Sequence, residues 1–559
     1  MRPFFSLATN QIGSHSADHS PSVRTWIAYG GLALFLAVNA VYMKFTYMHV
    51  FFDPNDHGGF LDMAWRILRG QKIYVDFLYH NGPFFPYTMA FFMTVFGFGK
   101  TAILAHLLLT SSLNTILTFF ILRKHTPLVV TLVLTALAMV SFHWAYPFPN
   151  YTHDAFVWGL LGVLVLSSRM PLQGATTAFG SGLLCGLIAV AAFMTKFNIG
   201  AIYGLTFILV LISSAERFSG IKGFVTGAVL MLLVSWIFIG DVNGFLNYNI
   251  LPFMRGAVIA ERSSALWASL PDWAERHYWL VAVVVLAGVW THLLKMSQWI
   301  VLFLGAVMCA MFTHRTNSLS PLIILPNVLG FILFYRLSVA AMPGIRALIF
   351  RTMFGALVII TGVQIIPFAR YIATDIFHDN VGKSTLILEG YPGSADPETL
   401  AKVTEHKDWV SKEIRNYPII SNYVLKSEPL AGWLCNQEWG EPLDGIVSAI
   451  KKHVPGDQTV LVLSTMQLIY PLTGRDSFRG MTFHFNLPGV PELDVQAPRV
   501  RAAIVEHPPD WIVTHRDVSV FPINALVHYL QLTDYINNNY ARVNDEWGSF
   551  GMLRRIQKQ

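Results

Sequence analysis

Cysteine is almost absent from this sequence. Its 559 residues hold 3, of which Cys185 and Cys309 lie in apolar runs and only Cys435 in a polar region. That excludes a disulfide framework, a CxxC redox pair and a cysteine zinc site. Charge is scarce too. Charged residues make up 13% of the chain, about half the share of a soluble domain, so the whole cannot be an ordinary soluble protein. No internal repeat is visible, and no low-complexity tract lies beyond the N-terminal tail. A cleavable leader is not expected either. The first two dozen residues are polar and rich in Ser and His. The apolar run from Trp26 is too long for a signal-peptide core and lacks a small-residue cleavage site, so it reads as a first membrane span.

What is abundant is apolar sequence, 54% of the chain, with a formal net charge of +6. Cytoplasmic loops facing anionic lipid account for that charge without nucleic acid. Runs long enough to cross a bilayer, roughly 17–25 residues, fall near 26–48, 101–122, 127–146, 155–168, 176–195, 199–213, 223–240, 278–294, 297–312, 320–338 and 347–367. Residues 83–98 are apolar but short and open with Pro83 and Pro86, which suits a helix at the interface. With the N-terminal tail (1–25) inside, Arg123, Lys124, Arg169, Arg217, Lys222, Lys295, Arg336, Arg346 and Arg351 all fall in inner loops. Few basic residues, chiefly Lys196 and Arg315, fall in short outer ones. This is the positive-inside asymmetry.

The expected fold is therefore a mostly α polytopic membrane protein of eleven spans over 26–369, with a first outer loop at 49–100. From 370 to 559 charged and turn residues return. "TVLVLS" (459–464), "DWIVTH" (510–515) and "FGMLRRI" (550–556) read as strands, with a helical pattern over 444–452. Strands alternating with helices predict an extracytoplasmic α/β domain.

Polar chemistry then gathers on the outer side. Asp53, Asp56 and His57 follow the first span, and "HGGFLDMAWRIL" carries apolar residues at helical spacing, as an interfacial amphipathic helix would. Asp56 falls at its N-cap, which a carboxylate favours with or without a catalytic role. Lys196 interrupts an apolar stretch; it is either a buried functional cation or a lysine reaching from a span end to the surface. His314 and Arg315 form a cationic pair suited to a phosphate. Asn150, His153 and Asp154, in "YPFPNYTHD", are either turn and cap residues or part of a site. "VGKST" (381–385) lacks the first glycine of a phosphate loop, since that position is Phe377.

The stretch "DHGGFLDMAWRILRGQKIYVDFLYHNGPFFPYTMAFFMTVFG" resembles the first outer loop of the GT-C glycosyltransferases, the multi-spanning enzymes that use polyprenyl-phosphate sugars, such as protein O-mannosyltransferases and the aminoarabinose transferase of lipid A. Asp56, Gly58, Ala64, Trp65, Arg66, Gly70, Tyr74, Asp76, Gly82, Pro83, Phe96 and Gly97 match the group's pattern in order. "TKFNIG" and "DWIVTHRD" are similar to later segments. His57 departs from the pattern, because many members carry Glu there, which leaves a divalent metal open.

The resemblance implies a bacterial inner-membrane enzyme with a polyprenyl-phosphate sugar donor and a glycan, lipid or protein acceptor. Asp56 would be the base, and Lys196, Arg315 and His314 would hold the donor phosphate. His57, Asp76, His80, Asn150, His153 and Asp154 would be further site candidates. A transporter, a lipid-linked saccharide flippase or polymerase, and a non-catalytic assembly protein are the rival classes. The first predicts repeats and mid-bilayer polar groups, and the last leaves Asp56, Lys196 and Arg315 unexplained.

The basic-residue asymmetry generates a direct test. A reporter that works only outside the membrane, fused after Gln559, is expected to be active. An inactive fusion, with a cytoplasmic reporter active at the same place, would reverse the orientation.

Overall fold

This computed structural model describes residues 23–49, 56–79, 81–142, 148–247, 298–299, 301–306, 309, 385–386, 419–464, 466–481, 491–515, 527, 530–543 and 550–556. The expected spans at 278–294, 320–338 and 347–367, part of 297–312, and Asp53, His80, His314 and Arg315 lie outside those residues. So does the side chain of Asp56.

The described chain begins with ten helices: α1 Val23–His49, α2 Asp56–Leu68, α3 Phe84–Phe96, α4 Lys100–Arg123, α5 Leu128–Ser141, α6 Tyr151–Arg169, α7 Ala175–Phe193, α8 Phe197–Ile212, α9 Arg217–Trp236 and α10 Val242–Phe245. Each of the first seven expected spans coincides with one of these. Val23–Lys44, Lys100–Arg123, Ala175–Phe193 and Arg217–Trp236 are long and apolar enough to cross a membrane. Helix α3 has 13 residues, a length of about 20 Å against a hydrocarbon thickness of about 30 Å.

Short connections make successive helices from α4 to α9 run in opposite directions. Arg123, Lys124, Arg169, Arg217 and Lys222 therefore collect at one end of the bundle. Helices α2 and α3 and the turn 194–196 collect at the other, called here the α2 end.

Parallel helices α7 and α9 meet through glycine. Gly182 and Gly186 on α7 face Gly220, Gly223 and Gly227 on α9. A Cβ at Gly186 would lie 2.1 Å from the Phe224 carbonyl oxygen, and one at Gly227 would lie 2.0 Å from that of Leu183. Only hydrogen fits such an approach. Apolar lipid gives apolar helix faces no reason to associate, so backbone contact does the work.

The C-terminal part is α/β. Strands β1 Thr385–Leu386, β2 Ile419–Val424 and β3 Leu434–Asn436 form an antiparallel sheet in that order. Helix α11 (Gln437–His453) follows, then β4 (Val460–Leu463), α12 (Ile469–Thr473), α13 (Pro491–Glu506), β5 (Trp511–His515), α14 (Thr533–Asn539), β6 (Tyr540–Arg542) and β7 (Phe550–Arg555). The second sheet has the order β4-β5-β7-β6. Its β4 and β5 are parallel, pairing Val460 with Trp511, and α13 lies in the crossover between them. All of β4 is buried, as an uninterrupted apolar run in a parallel pair requires. The three strands expected from sequence are present. Helix α11 starts seven residues before the expected 444, because Trp439 continues the buried stripe of Leu443, Ile446, Val447 and Ile450.

The apolar residues of α2 meet protein. Phe60, Leu61, Met63 and Ala64 are buried in a core that runs from Phe85 and Ile103 of the bundle to Leu468, Val462 and Met552 of the C-terminal part. A Cβ on Gly58 would lie 2.9 Å from Leu468 Cβ.

Asp62 and Arg66 complete the join. Both are fully buried, and Arg66 Nε donates to Asp62 Oδ2 at 2.6 Å. The guanidinium also donates to Gln71 Oε1 (3.2 Å), the Phe478 carbonyl (2.8 Å) and Gln467 Oε1 (3.4 Å). It lies over the rings of Phe77 and Tyr470. The Ser477 hydroxyl donates to Asp62 Oδ1, and Trp65 Nε1 to the Arg475 carbonyl at 2.8 Å.

The helix contact predicts that Gly186→Ala destabilises the chain by about 1–3 kcal/mol, the scale of overpacking. Gly180→Ala is the control, since its Cβ would meet nothing closer than Arg169 Nη1 at 3.6 Å. It should be neutral or gain helix propensity. Thermal unfolding of the purified chain in detergent distinguishes the two, and equal melting points would refute the packing argument.

Candidate active site

The site is best built from Lys196. Met194–Lys196 turn the chain between α7 and α8, and Lys196 is the residue before α8. The turn is braced from two sides. Lys196 N–H donates to the Ala192 carbonyl at 2.8 Å, and Phe84 N–H donates to the Met194 carbonyl at 3.1 Å. Gly82 lets the loop between α2 and α3 come this close, because a Cβ there would fall 2.0 Å from the Met194 carbonyl oxygen. The Gly82-Pro83 pair, which sequence gave only as a motif match, thus has a physical reason.

Lys196 does not reach for the surface. It is 5% exposed. Its Nζ donates to Thr152 Oγ1 at 2.8 Å and lies 4.7 Å from the centre of the Tyr151 ring. That ring meets Phe60 of α2 at 5.5 Å and Phe85 of α3 at 5.9 Å, both edge-on. One ammonium is therefore tied to α6, and through Tyr151 to α2 and α3. A cation over an aromatic face in a dry setting is worth about 2 kcal/mol. A buried ammonium among apolar helices is a candidate for function by its cost alone.

Asn150, His153 and Asp154 take separate places. Asn150 caps α6, its Oδ1 accepting Thr152 N–H at 2.7 Å. The helix begins at Tyr151, four residues before the expected start at 155, so His153 and Asp154 lie inside its first turn. His153 Nε2 donates to the Phe142 carbonyl at 3.0 Å. Asp154 Oδ2 accepts from His106 Nε2 of α4 at 3.0 Å, with both residues buried. Among the described residues His106 Nδ1 and Asp154 Oδ1 have no hydrogen-bond partner. A negative group in this first turn is favoured by the helix dipole.

His57 stacks face to face on Phe148, with ring centres 3.8 Å apart and planes 4° from parallel. Phe148 in turn meets Trp433 of the C-terminal part at 6.0 Å. Burial holds the His57 pKa well below 6.5, so its ring is neutral. Tyr79 is buried beside Tyr151, Tyr74 and Asp154, and burial raises its pKa well above the ordinary phenol range. Asp76 supports its loop, accepting Lys72 N–H at 2.8 Å and pairing with Arg479 at 3.1 Å.

The structure thus brings together Lys196, the Asn150–Asp154 segment and His57 with α2, which Asp56 begins. Sequence reasoning missed Thr152, Tyr151, Tyr79 and His106. Only His106 carried a signal, as an ionisable residue within an apolar span. Among the described residues no group of three or more His, Cys, Asp or Glu side chains comes together to hold a metal ion, so the divalent metal left open by the sequence finds no ligand set there.

Residues 80–239 match the family model for dolichyl-phosphate-mannose-protein mannosyltransferase. The matched segment contains Gly82, Thr152, Asp154 and Lys196, and the match bears out the resemblance to GT-C glycosyltransferases. Among solved structures, ArnT from Cupriavidus metallidurans bound to undecaprenyl phosphate aligns over 95% of this chain and 99% of that one, at 14% identity and a TM-score of 0.47. The same protein in its apo state aligns over 95% and 98%, at 14% identity and a TM-score of 0.44. The Archaeoglobus fulgidus oligosaccharyltransferase with zinc and sulfate aligns over 86% and 68%, at 11% identity and a TM-score of 0.34. No curated protein matches the sequence.

The buried neutral His57 sets an acid sensitivity. In the unfolded chain this ring takes a proton near pH 6.5, and in the folded chain only well below that. Below pH 6.5 the unfolded state therefore binds more protons, and stability falls with falling pH. Comparing wild type with His57→Phe at pH 7.5 and pH 5 should show the variant losing less stability on acidification. Identical losses would contradict a buried neutral ring.

Proposed function

We propose that this chain is a membrane glycosyltransferase that moves a sugar from a polyprenyl phosphate to an acceptor hydroxyl on the outer face of the membrane. The observation that carries the reading is the buried Lys196 ammonium, held by Thr152 and Tyr151 within the segment matched to a mannosyltransferase family. In this reading the α2 end faces outward, in keeping with the basic residues gathered at the opposite end. One of the ArnT structures is bound to undecaprenyl phosphate, a lipid of the same chemical class as the proposed donor.

The steps follow from charge. The acceptor oxygen attacks the anomeric carbon as its proton passes to a base, and the bond from that carbon to the phosphate oxygen breaks. Polyprenyl phosphate leaves with the bonding electrons. Negative charge grows on the leaving phosphate, and a fixed cation in a dry setting lowers the energy of that state more than water would. Lys196 supplies the cation, and Arg315 and His314 would add to it. Asp56, first residue of α2, is the base. Its helix is anchored at Asp62 and Arg66, which fixes the direction of the base better than a loop would. Direct displacement inverts the anomeric centre, as in inverting glycosidases. The apolar helix α3 and its neighbours would take the prenyl chain, and the C-terminal part would shape acceptor access.

Lys196→Met should lower kcat/KM for a polyprenyl-phosphate sugar by about 1–3 kcal/mol, the scale of a charge-assisted hydrogen bond. Asp56→Asn should cost about 10²–10⁴ in rate and Asp53→Asn much less. Transfer is measured at equal membrane abundance. Normal turnover by Lys196→Met rules out the phosphate role, and a reversed ranking of the two Asp variants moves the base to Asp53.

A further inference from the structure

The loop between α2 and α3 carries a backbone conformation that side chains other than glycine rarely hold. Tyr74 has φ of 64°, the left-handed region that L-residues with a bulky side chain avoid. It is fully buried and held at several atoms. Its N–H donates to the Phe77 carbonyl at 2.8 Å. Its ring packs edge-on against Phe245 at 5.4 Å. The Arg499 guanidinium, from α13 of the C-terminal part, donates to the Tyr74 carbonyl and also to that of Val75. Two residues on, Asp76 pairs with Arg479, and its carbonyl accepts Gly480 N–H at 2.6 Å.

The Tyr74 hydroxyl is the far end of this arrangement. It donates to the carbonyl of Asn81, the residue before Gly82. Gly82 and Phe84 then press on the Met194 carbonyl, two residues before Lys196. A continuous set of contacts therefore runs from Arg499 and Arg479 through Tyr74, Asn81 and Gly82 to the turn that presents the ammonium. Strain of this kind persists only where the surroundings over-determine it, and here the surroundings are two parts of the chain separated by some four hundred residues of sequence.

We infer that Tyr74 is a positioning residue for Lys196: its hydroxyl holds Asn81 and Gly82 against the 194–196 turn, so that the C-terminal part sets where the phosphate-binding cation stands. The inference rests on the phosphate role proposed for Lys196. Tyr74 touches neither donor nor acceptor and acts through the turn.

A double-mutant cycle on the full chain tests it, with kcat/KM for a polyprenyl-phosphate sugar read for wild type, Tyr74→Phe, Lys196→Met and the double variant. Tyr74→Phe keeps the ring and removes one buried hydrogen bond. It should reduce kcat/KM about 3- to 10-fold, chiefly through the KM for the donor, with the KM for the acceptor unchanged. In the Lys196→Met background the same change should have no further effect, because the group it positions is gone. An equal loss from Tyr74→Phe in both backgrounds, or none in either, overturns the inference. Normal kcat/KM for Lys196→Met overturns the phosphate role itself, and the positioning inference with it.

Discussion

The buried pair of Asp62 and Arg66 is the constraint on which the rest of the described structure depends. Two charges fully removed from water are costly unless every remaining donor and acceptor is met. Here α2 supplies the pair, Gln71 comes from the following loop, and Gln467, Ser477 and Phe478 come from the C-terminal part. Removing one partner would leave the other charge buried, at a cost of about 3–5 kcal/mol. The network thus makes one orientation of α2 against the C-terminal part far better than its neighbours. Apolar contacts such as Gly58 against Leu468 add burial but little direction.

A second constraint acts beside it. Gly82 admits the loop between α2 and α3 to the backbone of the 194–196 turn, and Tyr151 carries that turn's lysine against Phe60 and Phe85. Helix α2 and the Lys196 ammonium are thereby referred to the same aromatic cluster. A transfer reaction needs its base and its leaving-group cation on opposite sides of one carbon, and errors of an ångström matter. Segments from residues 56, 82, 152 and 196 share one core, which is a physical means of holding such a distance in a protein that otherwise packs against fluid lipid.

Much of this was legible in the sequence, for reasons that differ by element. The spans and the strands β4, β5 and β7 show in local apolar pattern, because burial in lipid or in a parallel sheet leaves unbroken apolar runs. Lys196 stood out because a cation among apolar residues is costly. The surroundings of α2 were not legible. Asp62 and Arg66 at i and i+4 look like a solvated helix pair, and an apolar helix face reads alike whether lipid or protein covers it. Partners far away in sequence were also hidden: Thr152 for Lys196, His106 for Asp154, Ser477 for Asp62. Nothing local marks them, and the helix directions and the C-terminal part had to be placed first.

Chemistry and fold meet at one claim, that the α2 end of the bundle recognises a phosphate carried on a prenyl chain. The most direct measurement titrates the purified full chain with polyprenyl phosphate and, in parallel, with the matching polyprenol that lacks the phosphate, following thermal unfolding. The account predicts saturable stabilisation by the phosphate that is largely lost in Lys196→Met, with little from the alcohol. Equal stabilisation by both lipids, or a phosphate effect indifferent to Lys196, would contradict it.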